Sequence, residues 1–207
     1  MKRLVQTYNN IIDMNDFENA EIDPLDIAHA LANKCRFNGH CDLFYSVAKH
    51  SLMVAKLVPD EHKFAALLHD AHEAYTGDWV APMKRIYPND NSILNQMAKL
   101  YKEFEEHVEQ TIFKHFGLPW PIHPEIVKAD QIMLATEKKL SMKDLGVDWG
   151  ITEEPREGLF LWGPDSMEVE RHFLEAFEEY RILFRRIQGI IMNNETNNQQ
   201  GESNEQS

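Results

Sequence analysis

From Asp26 to Met192 the large apolar residues recur every three or four positions, and nowhere do they alternate in strand fashion for long. Ile27, Ala30 and Leu31 follow Pro24, which suits the first turn of a helix. Val47, Met53, Val54 and Leu57 stripe a helix over 45–57 that Pro59 ends. Phe64, Ala65, Leu67, Leu68 and Ala71 stripe another over 61–75, which Gly77 stops. A short helix is expected over 79–86, entered through Pro82, and then a long amphipathic one over 92–116 closed by Gly117. Two more are expected over 124–142 and 166–192, with 146–163 read as a loop from its scattered Trp, Gly and Pro. The expected fold class is all-α, one domain over 1–192. A disordered polar tail is expected over 193–207, where NNETNNQQGESNEQS carries no large apolar residue.

With 207 residues, 43% of them hydrophobic, the chain can bury a sizeable core. Its formal charge of −13 argues against gripping a nucleic-acid polymer, since phosphate backbones are held by basic surfaces. A small anionic substrate stays open, because a bound cation dominates its own pocket. No apolar run reaches membrane-spanning length, and acidic residues arrive too early for a signal peptide, so a cytoplasmic protein without a membrane partner is expected. Cys35 and Cys41 flank His40 in CRFNGHC. With no second Cys/His pair at finger spacing they read as reduced thiols, and His40 as either a turn residue or a neighbour of the site.

Polar residues interrupt the stripes where apolar ones belong. His50 lies between Val47 and Met53-Val54, and His69-Asp70 follows Leu67-Leu68 directly. Asp130 stands beside Val127, Met133 and Leu134. A buried polar group must be paired or bound to metal, so these four suggest a shared partner. Two imidazoles and two carboxylates suit one divalent ion, whether Mn, Co, Fe, Zn or Mg. Glu73, three and four residues after Asp70 and His69, shares their helix face and can act on a water at the ion. His72-Glu73 does not open a zincin motif, because Thr76 occupies the place of the second histidine. The run EFEEHVEQ reads as the wet face of the long helix, and Trp149 and Trp162 as core residues or a cover over the pocket.

The order His50, His69-Asp70, Asp130 resembles the HD superfamily of phosphohydrolases. Three blocks narrow the resemblance to one branch: CRFNGH with YSVAKHSLMVA, ALLHDAHEAYTGDW with APMKR, and KADQIMLATE. That branch, similar over roughly 22–188, includes bacterial HD-domain 5'-deoxynucleotidases and phage dATP triphosphohydrolases. The resemblance implies an HD-domain helical bundle that hydrolyses deoxynucleotide phosphates with one divalent metal ion held by His50, His69, Asp70 and Asp130. It implies Glu73 as a catalytic carboxylate and Asp78 as a second acidic group for water or sugar contacts. Arg36 and Phe37 match a basic-aromatic pair that contacts the nucleotide, with Phe37 where several relatives carry Trp. Lys84 and Arg85 are candidate phosphate contacts. A homo-oligomer is also implied, with the helix from Ser92 as a candidate surface.

Two reactions remain open within that reading: release of orthophosphate from a deoxynucleoside monophosphate, or of triphosphate from a dNTP. They differ in how many basic groups line the pocket, with Arg36, Lys49, Lys84 and Arg85 as candidates. An HD-type phosphodiesterase acting on a cyclic or signalling nucleotide is the alternative. Two-metal sites of that kind need further histidines, and His107, His115 and His123 lie in the right interval without the expected surroundings. A helical binding module without activity is the third reading, and retention of every ligand weighs against it.

Overall fold

Helices begin where the sequence supplies a cap. In the computed structural model Asp23 accepts a 2.8 Å bond from the Leu25 amide at the start of α1, Pro24–Asn33. Ser46 accepts from the Lys49 amide to open α2, Val47–Ala55, and Ser92 accepts from the Asn95 amide to open α6, Ile93–Phe116. Gly117, left-handed at φ 70°, ends α6. Between α2 and α6 lie three short helices, α3 (Lys63–Leu67), α4 (Glu73–Thr76) and α5 (Ala81–Lys84). Helices α7, Pro124–Ser141, and α8, Ser166–Glu205, complete the all-α fold. The structure describes residues 1–205 except 160, 162 and 164, with side chains through 191. The tail expected to be disordered over 193–207 instead continues the backbone of α8 through Glu205, while residues 206–207 and the pocket role weighed for Trp162 lie outside the described residues.

The helix expected over 61–75 is not continuous. A 3-10 turn at Asp60–His62 leads into α3, which stops at Leu67, and α4 starts only at Glu73. The cause is local. The Nδ1–H of His69 donates to the Ala66 carbonyl at 2.8 Å, and an unbroken helix would have given that acceptor to the Asp70 amide. Tighter turns follow, with the Ala71 amide on the Leu68 carbonyl and the Glu73 amide on the Asp70 carbonyl.

A second departure is a small antiparallel hairpin, β1 (Leu4–Gln6) with β2 (Ile11–Asp13), pairing Val5 with Ile12. Three-residue strands are too short to display alternation. Asp26 of α1 anchors the hairpin by accepting from Thr7 Oγ1 and the Asn9 amide, both at 2.6 Å.

The core lies where α8 crosses α1, α2 and α3. Phe64 of α3 meets Phe177 of α8 and Phe116 of α6 edge-on, with ring centroids 5.2 and 6.3 Å away. Packing of α2 against α7, and of α4 against α6, brings the polar interruptions together. Among the described residues no helix is long and apolar enough to cross a membrane.

Candidate metal centre

Three ligand atoms from three regions of the chain converge within 4.8 Å of one another, with Asp70 beside the two histidines. His50 Nε2, from α2, lies 3.3 Å from His69 Nε2 at the end of the α3 turn. Asp130 Oδ1, from α7, is 3.1 Å from His50 Nε2 and 4.0 Å from His69 Nε2. Asp70 Oδ2 is 3.5 and 3.3 Å from the same two nitrogens. Donors held about 2.0–2.2 Å from one ion are separated by roughly 3 to 3.5 Å, so the spacing fits a shared cation.

The tautomers support the same conclusion. His69 Nδ1–H donates to Ala66, and His50 Nδ1–H donates to Glu137 Oε1 at 2.6 Å. With Nδ1–H committed on both rings, Nε2 is the nitrogen each would offer to a cation, and the two Nε2 atoms lie 3.3 Å apart beside two carboxylates. A cation between them resolves that arrangement, and the donor set of two imidazoles and two carboxylates accepts any of the divalent ions considered above. Without an ion the site is held by protons. Burial and Arg36 pull the His50 imidazolium down, but Glu137 and Asp130 outweigh them and push its pKa up to about 10. Burial opposes ionisation of Asp70, yet His69, His50 and Arg36 hold its carboxyl well below the usual range.

Glu73 opens α4 next to this cluster. It is buried, its Oε2 has no hydrogen-bond partner, and its Oε1 lies 3.9 Å from Lys84 Nζ. Burial, then the charges of Asp70 and Asp78, push its pKa well above its ordinary value. Asp78, half-buried just beyond α4, is raised chiefly by burial.

Arg36 is buried in a 3-10 turn whose Phe37 and Asn38 are left-handed at φ 55° and 51°. Its Nη1 reaches Asp70 Oδ2 at 3.5 Å, while Nε and Nη2 each lie 3.1 Å from Glu137 Oε2. Phe37 turns outward to meet Trp149 at 5.8 Å between centroids, tilted by 52°. Lys138 Nζ sits 5.1 Å over the Trp149 ring, and Arg85 donates to the Trp149 carbonyl at 2.9 Å. Trp149 thus packs half-buried against Phe37 and not in the core. His40 caps the Arg36 turn and is exposed. Cys35 and Cys41 are free thiols with their sulfurs 3.8 Å apart.

Several expectations need correction. Glu105 and Glu109, in the run read as a wet face, turn inward. Glu105 Oε1 binds Lys84 Nζ at 2.6 Å and His72 Nε2 at 3.1 Å, and Glu109 approaches His72 Nδ1 at 3.9 Å. Lys84 is thereby committed to carboxylates, which outweigh burial and raise its pKa. Lys49 lines another cleft, with Tyr45, Ser46 and Leu161. Val127 is exposed, and the buried stripe of α7 is Ile126, Ala129 and Met133.

Glu137 was missed altogether, although a charged residue seven positions after Asp130 on that stripe was a readable signal. His123 joins His62 and Glu125 at the surface instead of the buried cluster. The two rings stack at 4.0 Å, so their in-plane lone pairs run side by side and do not converge.

The fold and centre define an all-helical protein with a buried histidine–carboxylate cluster suited to a divalent ion. No family model matches the chain. Over 134 residues, 65% of this chain, it is 43% identical to the uncharacterized protein YfdR of Escherichia coli, covering 67% of that protein. Over 139 residues, 61% of this chain, it is 34% identical to the uncharacterized protein RCAP_rcc00048 of Rhodobacter capsulatus, covering 66% of it. The chain belongs to the same family as YfdR.

Proposed function

We propose that the protein is a metal-dependent phosphohydrolase of the HD type that releases orthophosphate from deoxynucleoside monophosphates. The observation that carries this reading is the convergence of His50 Nε2, His69 Nε2 and Asp130 Oδ1, at 3.3, 3.1 and 4.0 Å from one another, beside Asp70. A divalent ion bound there supplies Lewis acidity toward a phosphoryl oxygen and acidifies water.

The chain supplies the rest. Arg36, beside Asp70, offsets charge on the phosphate. Glu73, with its unpartnered Oε2 and raised pKa, serves as proton donor to the leaving oxygen, with Asp78 as the nearby acidic group for water or sugar. Phe37 and Trp149 form an aromatic corner for the nucleoside.

Charge favours a monophosphate over a triphosphate. Arg36 is neutralised by Glu137 and Asp70, and Lys84 by Glu105. Among the described residues near the centre, Lys34, whose Nζ donates to the Glu73 carbonyl, is the basic group without an ion-pair partner, too little positive charge for two further phosphates. Nucleotide chemistry and the two free thiols support a cytoplasmic location. Exposed Ile93, Met97, Leu100 and Phe104 form a stripe on α6 that supports a homodimer.

The test is a panel of dNMPs, NMPs and dNTPs incubated with manganese-loaded protein, with products separated by chromatography. Orthophosphate from dNMPs is expected. Triphosphate release would replace the monophosphate assignment, and no turnover of any member would end the phosphohydrolase reading.

A further inference from the structure

We propose that Glu137 is a positioning residue that holds the metal ligand His50 and the phosphate contact Arg36 through one carboxylate, coupling ion binding to substrate binding. The inference rests on the metal-centre reading above and adds a residue to which that reading gives no role.

The geometry is closed on itself. Glu137 is fully buried on α7. Its Oε1 takes the His50 Nδ1 proton at 2.6 Å, and its Oε2 takes Arg36 at 3.1 Å. Arg36 in turn touches Asp70 Oδ2, which neighbours His50 Nε2 at 3.5 Å. His50, Glu137, Arg36 and Asp70 therefore form a ring of contacts around one side of the centre.

Asp130 and Glu137 stand seven residues apart on one helix, about 10 Å along its axis, and approach opposite nitrogens of the same imidazole. Neither ring nitrogen can shift without α7. A carboxylate needed only to neutralise Arg36 would not have to reach His50. Here each oxygen has its own partner, so the His50 tautomer and the Arg36 fork are set together.

A shorter or neutral side chain breaks this arrangement in distinguishable ways. Glu137→Asp keeps the charge but cannot span both partners. Glu137→Gln keeps the length, but its amide can accept from His50 only while turning N–H groups toward Arg36.

The experiment measures Co(II) binding by equilibrium dialysis, then inorganic phosphate binding to the cobalt-saturated protein, for wild type and both variants. Expected is a 10- to 100-fold weaker Co(II) affinity in each variant, about the usual cost of losing such a contact. Weaker phosphate binding is expected to persist even at saturating cobalt. Nitrogen-15 histidine spectra of the zinc-loaded wild type supply a readout that needs no variant, and a His50 proton on Nδ1 is expected.

Wild-type cobalt and phosphate affinities in both variants would overturn the proposal while leaving the metal centre intact. So would a His50 proton found on Nε2. A wild-type protein that binds no divalent ion would end the metal-centre reading and this inference with it.

Discussion

Asp130 and Glu137 of α7 grip one imidazole from its two sides, at 3.1 Å from His50 Nε2 and 2.6 Å from His50 Nδ1. Only the first of these nitrogens faces His69 and Asp70. A single helix therefore supplies both a candidate ligand and the group that aims another ligand, and the centre depends on the packing of α2 against α7.

Asp70→Ala is expected to lose metal and activity together. The substitution removes one donor and also takes away a partner of buried Arg36. Metal content after dialysis and turnover of a dNMP measure the two effects. A variant that keeps wild-type values for both would remove Asp70 from the centre.

Glu73→Gln separates chemistry from metal binding. Its side chain does not belong to the converging set, so metal content should match wild type. Loss of its proton should lower kcat by about 10²- to 10⁴-fold with little change in KM. A variant as fast as wild type would leave Glu73 without a catalytic part.

Stability of the metal-free protein should fall as pH rises. The pKa of His50 is raised from 6.5 to about 10, so its contribution is complete below 6.5 and is lost as pH climbs through 10. Glu73, raised by burial, acts in the same direction from its own ordinary value upward. Asp70, Asp130 and Glu137, held low, lose their contributions only on the acid side, as pH drops through their lowered values. Maximum stability is therefore expected between about pH 4.5 and 6.5. A divalent ion takes the place of the His50 proton, so metal affinity should increase with pH and the manganese-loaded protein should decline less. Thermal melts from pH 5 to 9.5, with chelator and with manganese, test both signs. A chelated protein that gains stability toward pH 9 would contradict the account.

The α6 stripe predicts a second copy as its cover. Leu100 is 67% exposed and Ile93 74%, on the same face as Met97 and Phe104. Leu100→Asp should convert a dimer to a monomer in sedimentation and leave the melting temperature of the domain nearly unchanged. A wild-type protein that sediments as a monomer at micromolar concentration would refute the dimer.

The helices were legible because their signals are local. Asp23-Pro24, Ser46, Ser92 and Gly117 act within one turn of their own backbone, and the apolar period needs no partner to be seen. Legible for the same reason were His50, His69, Asp70 and Asp130 as polar residues in a stripe. The break after Leu67 was hidden, because an imidazole N–H competing for the Ala66 carbonyl leaves the apolar pattern untouched. The hairpin at the start was hidden by its shortness.

By itself the sequence determined the all-α class, the capped ends at Asp23, Ser46, Ser92 and Gly117, and which polar side chains interrupt the buried stripes, since each follows from interactions spanning a few residues. Only the tertiary structure decided that Glu105 and Glu109 turn inward to Lys84 and His72, that Lys49 faces another cleft, and that Glu137 ties His50 to Arg36. The physical reason is that a charged group's partner is set by the packing of helices far apart in the chain, and a helical repeat carries no record of which neighbour its polar face will meet.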